Sequence, residues 1–282
     1  MSLGIDDILR SHITGRPVVM GILNVTPDSF SDGGTFLDAD AAARHALDMV
    51  AAGAHVIDVG AESTRPGSRR VSADEQIDRL RDILPAVVSA GVPVSIDTTL
   101  APVAEFALDA GARIVNDVSA GRDDPDLLTL VAQRDAALVL MHMLGEPKTM
   151  QAEPHYDDVT AEVRDFLAER LEAAVAAGVP RARCMVDPGI GFGKTLEHNL
   201  LLLARGVDVL VTLDVPVLIG SSRKRFIGAL SGEPEPTQRI GGTIAACLAA
   251  RRRGATVFRV HDVSPVAQAL AVHDAIETPP LA

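Results

Sequence analysis

The chain alternates between short apolar runs that end on a polar residue and longer segments whose apolar residues recur at helical spacing. Eight such runs stand out: VVMGILN (18–24), HVIDVG (55–60), VPVSID (92–97), RIVND (113–117), ALVLMH (137–142), CMVDP (184–188), VPVLIG (215–220) and TVFRVH (256–261). Continuous apolar runs of this length suit parallel strands covered on both faces. Between them, residues 39–52, 72–90, 157–177 and 237–253 carry helical spacing, and Ser72 with Glu75 three positions later forms a capping box at the head of the second. Several helical segments stop on a glycine (Gly53, Gly91, Gly111, Gly178, Gly254), the residue that most readily takes the left-handed turn after a helix. Strand and helix in strict alternation imply a parallel sheet with right-handed crossovers. Eight repeats predict a closed (β/α)8 barrel, and 282 residues accommodate one without strain. An open doubly wound sheet is the alternative, although no strand is followed by GxGxxG. The expected organisation is an N-terminal extension, 1–17, covering the barrel floor, and a single barrel domain, 18–282.

Composition narrows the functional classes. The net charge of −12 argues against a nucleic-acid-binding face. Cations nevertheless cluster at Arg65/Arg69/Arg70, Arg223/Lys224/Arg225 and Arg251–Arg253, as solvated turns or as holders of an anion. The two cysteines, Cys184 and Cys247, lie in apolar surroundings and imply no disulfide framework. The N-terminus does not read as a signal peptide, and no stretch approaches the roughly 20 apolar residues of a membrane helix. A cytoplasmic protein without membrane association is expected.

In a (β/α)8 barrel, residues at the C-terminal ends of the strands meet on one rim. Here those are Asn24, Asp58, Asp97, Asn116 with Asp117, His142, Asp187, Ser221 with Ser222, and Arg259 with His261. Any one of them is ordinarily a turn former or helix cap; a polar group at every strand end points to a ligand. Asp97, Asn116 and Asp187, with Lys224 nearby, match a planar heterocycle that offers an amino group, ring N–H groups and a carbonyl. Asn24, Arg65, Arg259 and His261 instead suit an anion and a divalent cation. Arginine forks fit phosphate, and a neutral amide oxygen suits Mg²⁺ held mostly by phosphate and water. Two loops rich in turn formers, 25–34 and 62–68, follow the first two strands and are expected to close over a substrate.

The segments MGILNVTPDSFSDGG, DVGAESTRPG, SIDT, NDVSAG, MHMLGEPKTMQ, DPGIGFGKTLEHN, SSRKRFIGAL and FRVHDV, in this order, resemble the dihydropteroate synthases of the pterin-binding family, from about residue 18 to 275. The resemblance implies a homodimeric barrel enzyme of folate synthesis. Such an enzyme transfers a dihydropterin-methyl group from its diphosphate to 4-aminobenzoate, assisted by Mg²⁺. It implies a pterin pocket of Asp58, Asp97, Asn116, Met141, Asp187, Phe192 and Lys224. Asn24 would be the Mg²⁺ ligand, and Asn24, Arg65, Arg259 and His261 the diphosphate site. Phe30, Thr64, Pro66, Ser222 and Lys224 would surround 4-aminobenzoate, where sulfonamides act in this family. Asp97, Asp187, Lys224, Arg259 and His261 are the residues expected to carry catalysis, and Asp28 lies in the first loop. The sequence departs from the family at Ala61 and Ala120, where many members have Gly, and at Leu100, which is often basic. The alternatives are a sulfonamide-insensitive form of the same enzyme, a non-catalytic pterin-binding relative, or a methyl transferase to a corrinoid; the last is disfavoured because it needs no diphosphate site.

Overall fold

Among the described residues, eight parallel strands lie within the eight apolar runs: β1 (Val18–Asn24), β2 (Val56–Gly60), β3 (Val94–Asp97), β4 (Ile114–Asp117), β5 (Ala137–Met141), β6 (Cys184–Asp187), β7 (Leu218–Ile219) and β8 (Val257–Val260). The computed structural model describes residues 3–25, 39–63, 70–145 and 150–278. The strand order is β6-β5-β4-β3-β2-β1-β8-β7. A parallel bridge between Val186 and Val217 joins the two ends, where the Val186 amide donates to the Pro216 carbonyl at 3.0 Å. The sheet is therefore a barrel, and the open-sheet alternative falls. β7 is short because Pro216 has no N–H to donate to a ladder.

The helices in chain order are α1 (Ile5–Leu9), α2 (Ser11–Thr14), α3 (Ala39–Ala51), α4 (Ala73–Leu80), α5 (Ile83–Val88), α6 (Ala101–Asp109), α7 (Leu127–Gln133), α8 (Val159–Ala176), α9 (Leu196–Leu201), α10 (Val207–Leu210), α11 (Arg225–Ser231), α12 (Ile240–Arg251) and α13 (Val263–Glu277). The segment expected as one helix over 72–90 is two, α4 and α5. Pro85 cannot donate to the carbonyl four residues back, so the helix breaks at Arg81–Asp82. Its start is as expected, with Ser72 Oγ accepting the Glu75 amide at 3.3 Å. None of these helices is long and apolar enough to cross a membrane.

Two apolar layers result from the alternation of side chains along each strand. Outward residues such as Val19, Leu23, Ile57, Val59, Ile96, Val115, Leu138 and Phe258 pack under the helices. Inward residues Val18, Met20, Val56, Ile114, Val139, Met185, Leu218 and Val257 fill the barrel and meet Leu3, Ile8 and Leu9 from the N-terminal segment. Ser11 Oγ, donating to Thr256 Oγ1 at 2.9 Å, fastens α2 to the start of β8. The barrel is thus filled from below, and only its upper end is left for chemistry.

One family departure has a conformational consequence. Ala120 sits at φ 55°, in the left-handed region. A Cβ there costs roughly 1 kcal/mol, part of which glycine's greater unfolded-state freedom returns. Ala120→Gly is expected to raise the unfolding free energy by about 0.5 kcal/mol, read as a small upward shift of the melting temperature. A drop would mean that Ala120's packing outweighs its backbone strain.

Candidate active site

Side-chain alternation sorts the strand-end polar residues into two sets. Asp58, Asn116, Asp187 and Arg259 lie two residues beyond the inward apolar Val56, Ile114, Met185 and Val257 on their strands, and Asp97 lies two beyond the buried Ser95, so all five face the barrel interior. Asn24 stands in the same inward series as Met20 and is half-buried. Asp117 and His142 turn the other way. Asp117 accepts from the Ser119 amide and hydroxyl, both at 2.7 Å, and from the Gly121 amide at 2.5 Å. It organises the turn after β4, and burial raises its carboxyl to about 6. His142 packs its ring edge-on against Phe166 of α8. Burial, with Lys194 and Arg122 adding repulsion, drives its imidazole down to about 2, so it stays neutral. The expectation of a polar contribution from every strand end to one rim is corrected for these two.

Arg259 dominates the interior set. Its Nε donates to Asp58 Oδ2 at 2.6 Å and its Nη2 to Asp97 Oδ2 at 2.7 Å. The guanidinium leaves β8 and passes β1, whose inward Met20 and Ile22 are apolar, to reach β2 and β3. Asn116 Nδ2 donates to the same Asp58 oxygen at 3.2 Å. Two carboxylates, an amide and a guanidinium therefore share one buried network. Burial pushes Asp97 up to about 7, with Arg259 pulling it down and Asp58 pushing it further up. The two carboxylates together raise the pKa of Arg259 against its own burial, so it remains charged. The anion-binding and heterocycle-binding halves of the rim are thus joined through this one side chain.

Asp187 and Lys224 complete the rim. Burial raises Asp187, opposed by the Gly189 amide donating to Oδ1 at 2.7 Å and by the charge of Lys224. Lys224 stands at the N-cap position of α11, and its ammonium donates to the Ile190 carbonyl and lies 4.2 Å over the Phe192 ring. Burial lowers its ammonium to about 8, against the attraction of Asp187. Met141 packs with Val118, Met143 and Met150, with Phe192 against the same cluster, forming an apolar wall. At the level of these polar groups, Gly60 and Gly220 add no side chain: a Cβ on them would meet Asp97 Cβ at 3.5 Å and Asp187 Oδ2 at 3.7 Å. The result is a slot bounded by carboxylates, an amide and an ammonium, with an apolar wall: surroundings suited to a flat, polar-edged ring.

Ser222 is held by His261, whose amide lies 3.2 Å and whose Nδ1 lies 3.0 Å from the Ser222 hydroxyl. The loop bearing Ser222 and Lys224 is locked from behind. Arg223 makes a two-pronged pair with Asp262 at 2.9 and 2.6 Å. Buried Arg239 donates to the carbonyls of Arg223 at 3.1 Å, Glu233 at 3.0 Å and Pro234 at 2.5 Å. The Arg251–Arg253 cluster holds no free anion site, because Asp274, Glu277 and Asp208 pair with its three members. Asp28, Phe30, Thr64, Arg65 and Pro66 lie outside the described residues.

Sequence reasoning missed Lys194 and Arg239. Both are buried cations that donate to backbone carbonyls or sit against a neutral imidazole, so no carboxylate hydrogen-bonded to them betrays them. The one available signal for Lys194 was a lysine in a small-residue run, GIGFGKT, that bridges a strand and a helix cap.

Known proteins resemble this chain over nearly its whole length. The family model described as pterin binding enzyme matches residues 20–261. The dihydropteroate synthase of Synechocystis sp. is 46% identical over 262 residues, covering 93% of this chain and 90% of that one. The structure of Xanthomonas albilineans dihydropteroate synthase with 4-aminobenzoic acid aligns with TM-score 0.88 at 47% identity, covering 94% of both chains. The structure of the Xanthomonas albilineans enzyme in complex with 7,8-dihydropteroate aligns with TM-score 0.84 at 44% identity, covering 94% of this chain and 95% of that one.

Proposed function

The chain belongs to the pterin-binding enzymes, among the dihydropteroate synthases, and from that premise we propose a division of labour along its rim. The enzyme is a transferase of folate synthesis. It joins (7,8-dihydropterin-6-yl)methyl diphosphate to 4-aminobenzoate and yields 7,8-dihydropteroate and diphosphate. Asp97, Asn116, Asp187 and Lys224 hold the pterin edge. Asp187 accepts from the ring's amino and N–H groups, and Lys224 donates to its carbonyl or a ring nitrogen. Met141 and Phe192 flank the ring, and Asp58 acts by holding Asn116 and Arg259. Arg259 and His261, with Arg65, take the diphosphate; Arg259 Nη1 makes neither of the two carboxylate bonds and is the donor free for that role. Ser222 and Lys224, with Phe30, Thr64 and Pro66, surround 4-aminobenzoate.

The reaction is dissociative substitution. The carbon–oxygen bond to diphosphate breaks and its electron pair leaves with the diphosphate, whose growing charge the rim cations stabilise. The methylene cation left behind is delocalised into the dihydropterin, beside the carboxylates of Asp97 and Asp187. The arylamine nitrogen then forms the new carbon–nitrogen bond and gives up one proton. No protein nucleophile is required.

Asn24 fits a divalent cation as far as its own chemistry goes. It is a half-buried neutral oxygen donor at the end of β1, and no group of three or more His, Cys, Asp or Glu among the described residues competes as a cage. A single amide oxygen suits Mg²⁺, which keeps its waters and binds substrate phosphate. When bound, Mg²⁺ would neutralise charge on the departing diphosphate. Association as a homodimer is part of the same proposal.

The observation that carries this reading is the convergence of Asp97, Asn116, Asp187 and Lys224 around one slot above an apolar barrel interior. The test incubates the protein with the dihydropterin diphosphate and Mg²⁺, with and without 4-aminobenzoate, and follows diphosphate release. Sustained, multiple-turnover release should require 4-aminobenzoate and fall when EDTA removes the metal. Release indifferent to 4-aminobenzoate contradicts the assigned reaction.

A further inference from the structure

Lys194 has no part in the chemistry above, yet it is among the most deeply buried cations, 3% exposed. Its Nζ lies 2.9 Å from His142 Nδ1, and it donates to the Phe192 carbonyl at 3.0 Å and the His142 carbonyl at 3.4 Å. Burying an ammonium is costly unless its donors are satisfied, and here three acceptors surround it. Two lie at the end of β5, and the third lies in the loop between β6 and α9.

That loop rests directly on the β5 end. A Cβ on Gly189 would fall 1.9 Å from the His142 carbonyl oxygen, and one on Gly193 would fall 2.6 Å from that of Leu144. Gly189 also stands at φ 67°, so no other residue serves there without strain. The same loop fixes Lys224 twice, through the Ile190 carbonyl and the Phe192 ring. A Cβ on Gly191 would meet the Lys224 stem at 2.9 Å. From Lys194 the contacts therefore run to Phe192 and then to Lys224.

We infer that Lys194 is a positioning residue for pterin binding: its ammonium pins the β6–α9 loop to the end of β5, and so sets the Phe192 wall and the Lys224 ammonium. It acts through these two residues and touches no substrate. Burial pushes the Lys194 ammonium well below the usual lysine range, opposed by the Asp187 carboxylate, so it is as a hydrogen-bond donor that Lys194 holds the loop. This inference rests on the pterin-pocket reading above.

The test compares the wild-type enzyme with Lys194→Met, which keeps the length and removes the charge, and Lys194→Gln, which keeps an amide donor. Steady-state kinetics with each substrate and melting curves are recorded for all three. For Lys194→Met, the KM for the dihydropterin diphosphate should rise roughly tenfold or more, since small misplacements of binding groups are amplified. The KM for 4-aminobenzoate should rise several-fold less than that, since of its surroundings only Lys224 rests on this loop while the pterin loses the placement of both Phe192 and Lys224, and Lys194→Gln should recover part of the loss. If Lys194→Met fails to fold, Lys194→Gln decides on the same ratio of KM values. A folded variant with an unchanged pterin KM, or with both KM values raised equally, overturns the inference. Wild-type protein that forms no dihydropteroate overturns the pterin-pocket reading instead, so the two failures are distinguishable.

Discussion

Asp97→Asn should lower kcat by about two to three orders of magnitude, the scale on which removal of one preorganised electrostatic group acts. The KM for 4-aminobenzoate should change less than about threefold, because Asp97 faces the pterin half of the rim. The substitution conserves shape and one acceptor oxygen, which can keep the Arg259 bond, so the loss reports chiefly the negative charge that faces the methylene cation. Near-normal turnover would sink charge stabilisation by Asp97. A pH dependence accompanies it. Burial raises Asp97 to about 7, and the ionised form is the active one. Wild-type turnover should therefore rise with pH through about 7, and that limb should vanish in Asp97→Asn. For stability the sign is opposite. A raised carboxyl pKa means that the folded protein favours the neutral form. Asp97's contribution is then fully present below its ordinary range, near about 4, and is lost as pH rises through about 7.

Arg259→Met is expected to have the largest effect on stability, costing about 3–5 kcal/mol near pH 8, as when one partner of a buried ion pair is removed. Asp58 is fully buried and Asp97 7% exposed, and both lose a hydrogen bond of 2.7 Å or shorter. The two carboxylates would then face each other without a cation. The loss should shrink near pH 5, where Asp97, raised still further without Arg259, takes up a proton. Denaturant unfolding at the two pH values reads the difference. An equal loss at both would mean that Arg259 contributes packing rather than charge pairing. Arg259→Lys should not rescue turnover, since a single ammonium does not reproduce a fork that reaches two carboxylates at once.

The strands were legible because parallel strands buried on both faces are continuous apolar runs, and all eight lie inside runs visible in the sequence. The extents of β3 and β7 were not, because Pro93 and Pro216 cut ladders that apolarity alone extends. Asp97, Asn116, Asp187 and Arg259 were legible as strand-end polar groups. What a list of polar strand ends does not reveal is which way each side chain turns. Asn116 and Asp117 are neighbours, as are Met141 and His142, and in each pair one member faces the barrel and the other the helices. The crossing of Arg259 to Asp58 and Asp97 was equally hidden, since it depends on side-chain reach across β1 between strands 162 and 201 residues apart in sequence. Lys194 and Arg239 were invisible for a different reason: a cation satisfied by carbonyls leaves no partner in the sequence.

The most direct measurement is a crystal structure of the protein with the dihydropterin diphosphate bound. The expected result is the pterin ring in the slot beside Met141 and Phe192. Its polar edge should lie within hydrogen-bonding distance of Asp97, Asn116, Asp187 and Lys224, and its diphosphate should lie on the side of Arg259 and His261. A ring bound elsewhere, or one that turns its diphosphate toward Asp187 and Lys224, would contradict the site described.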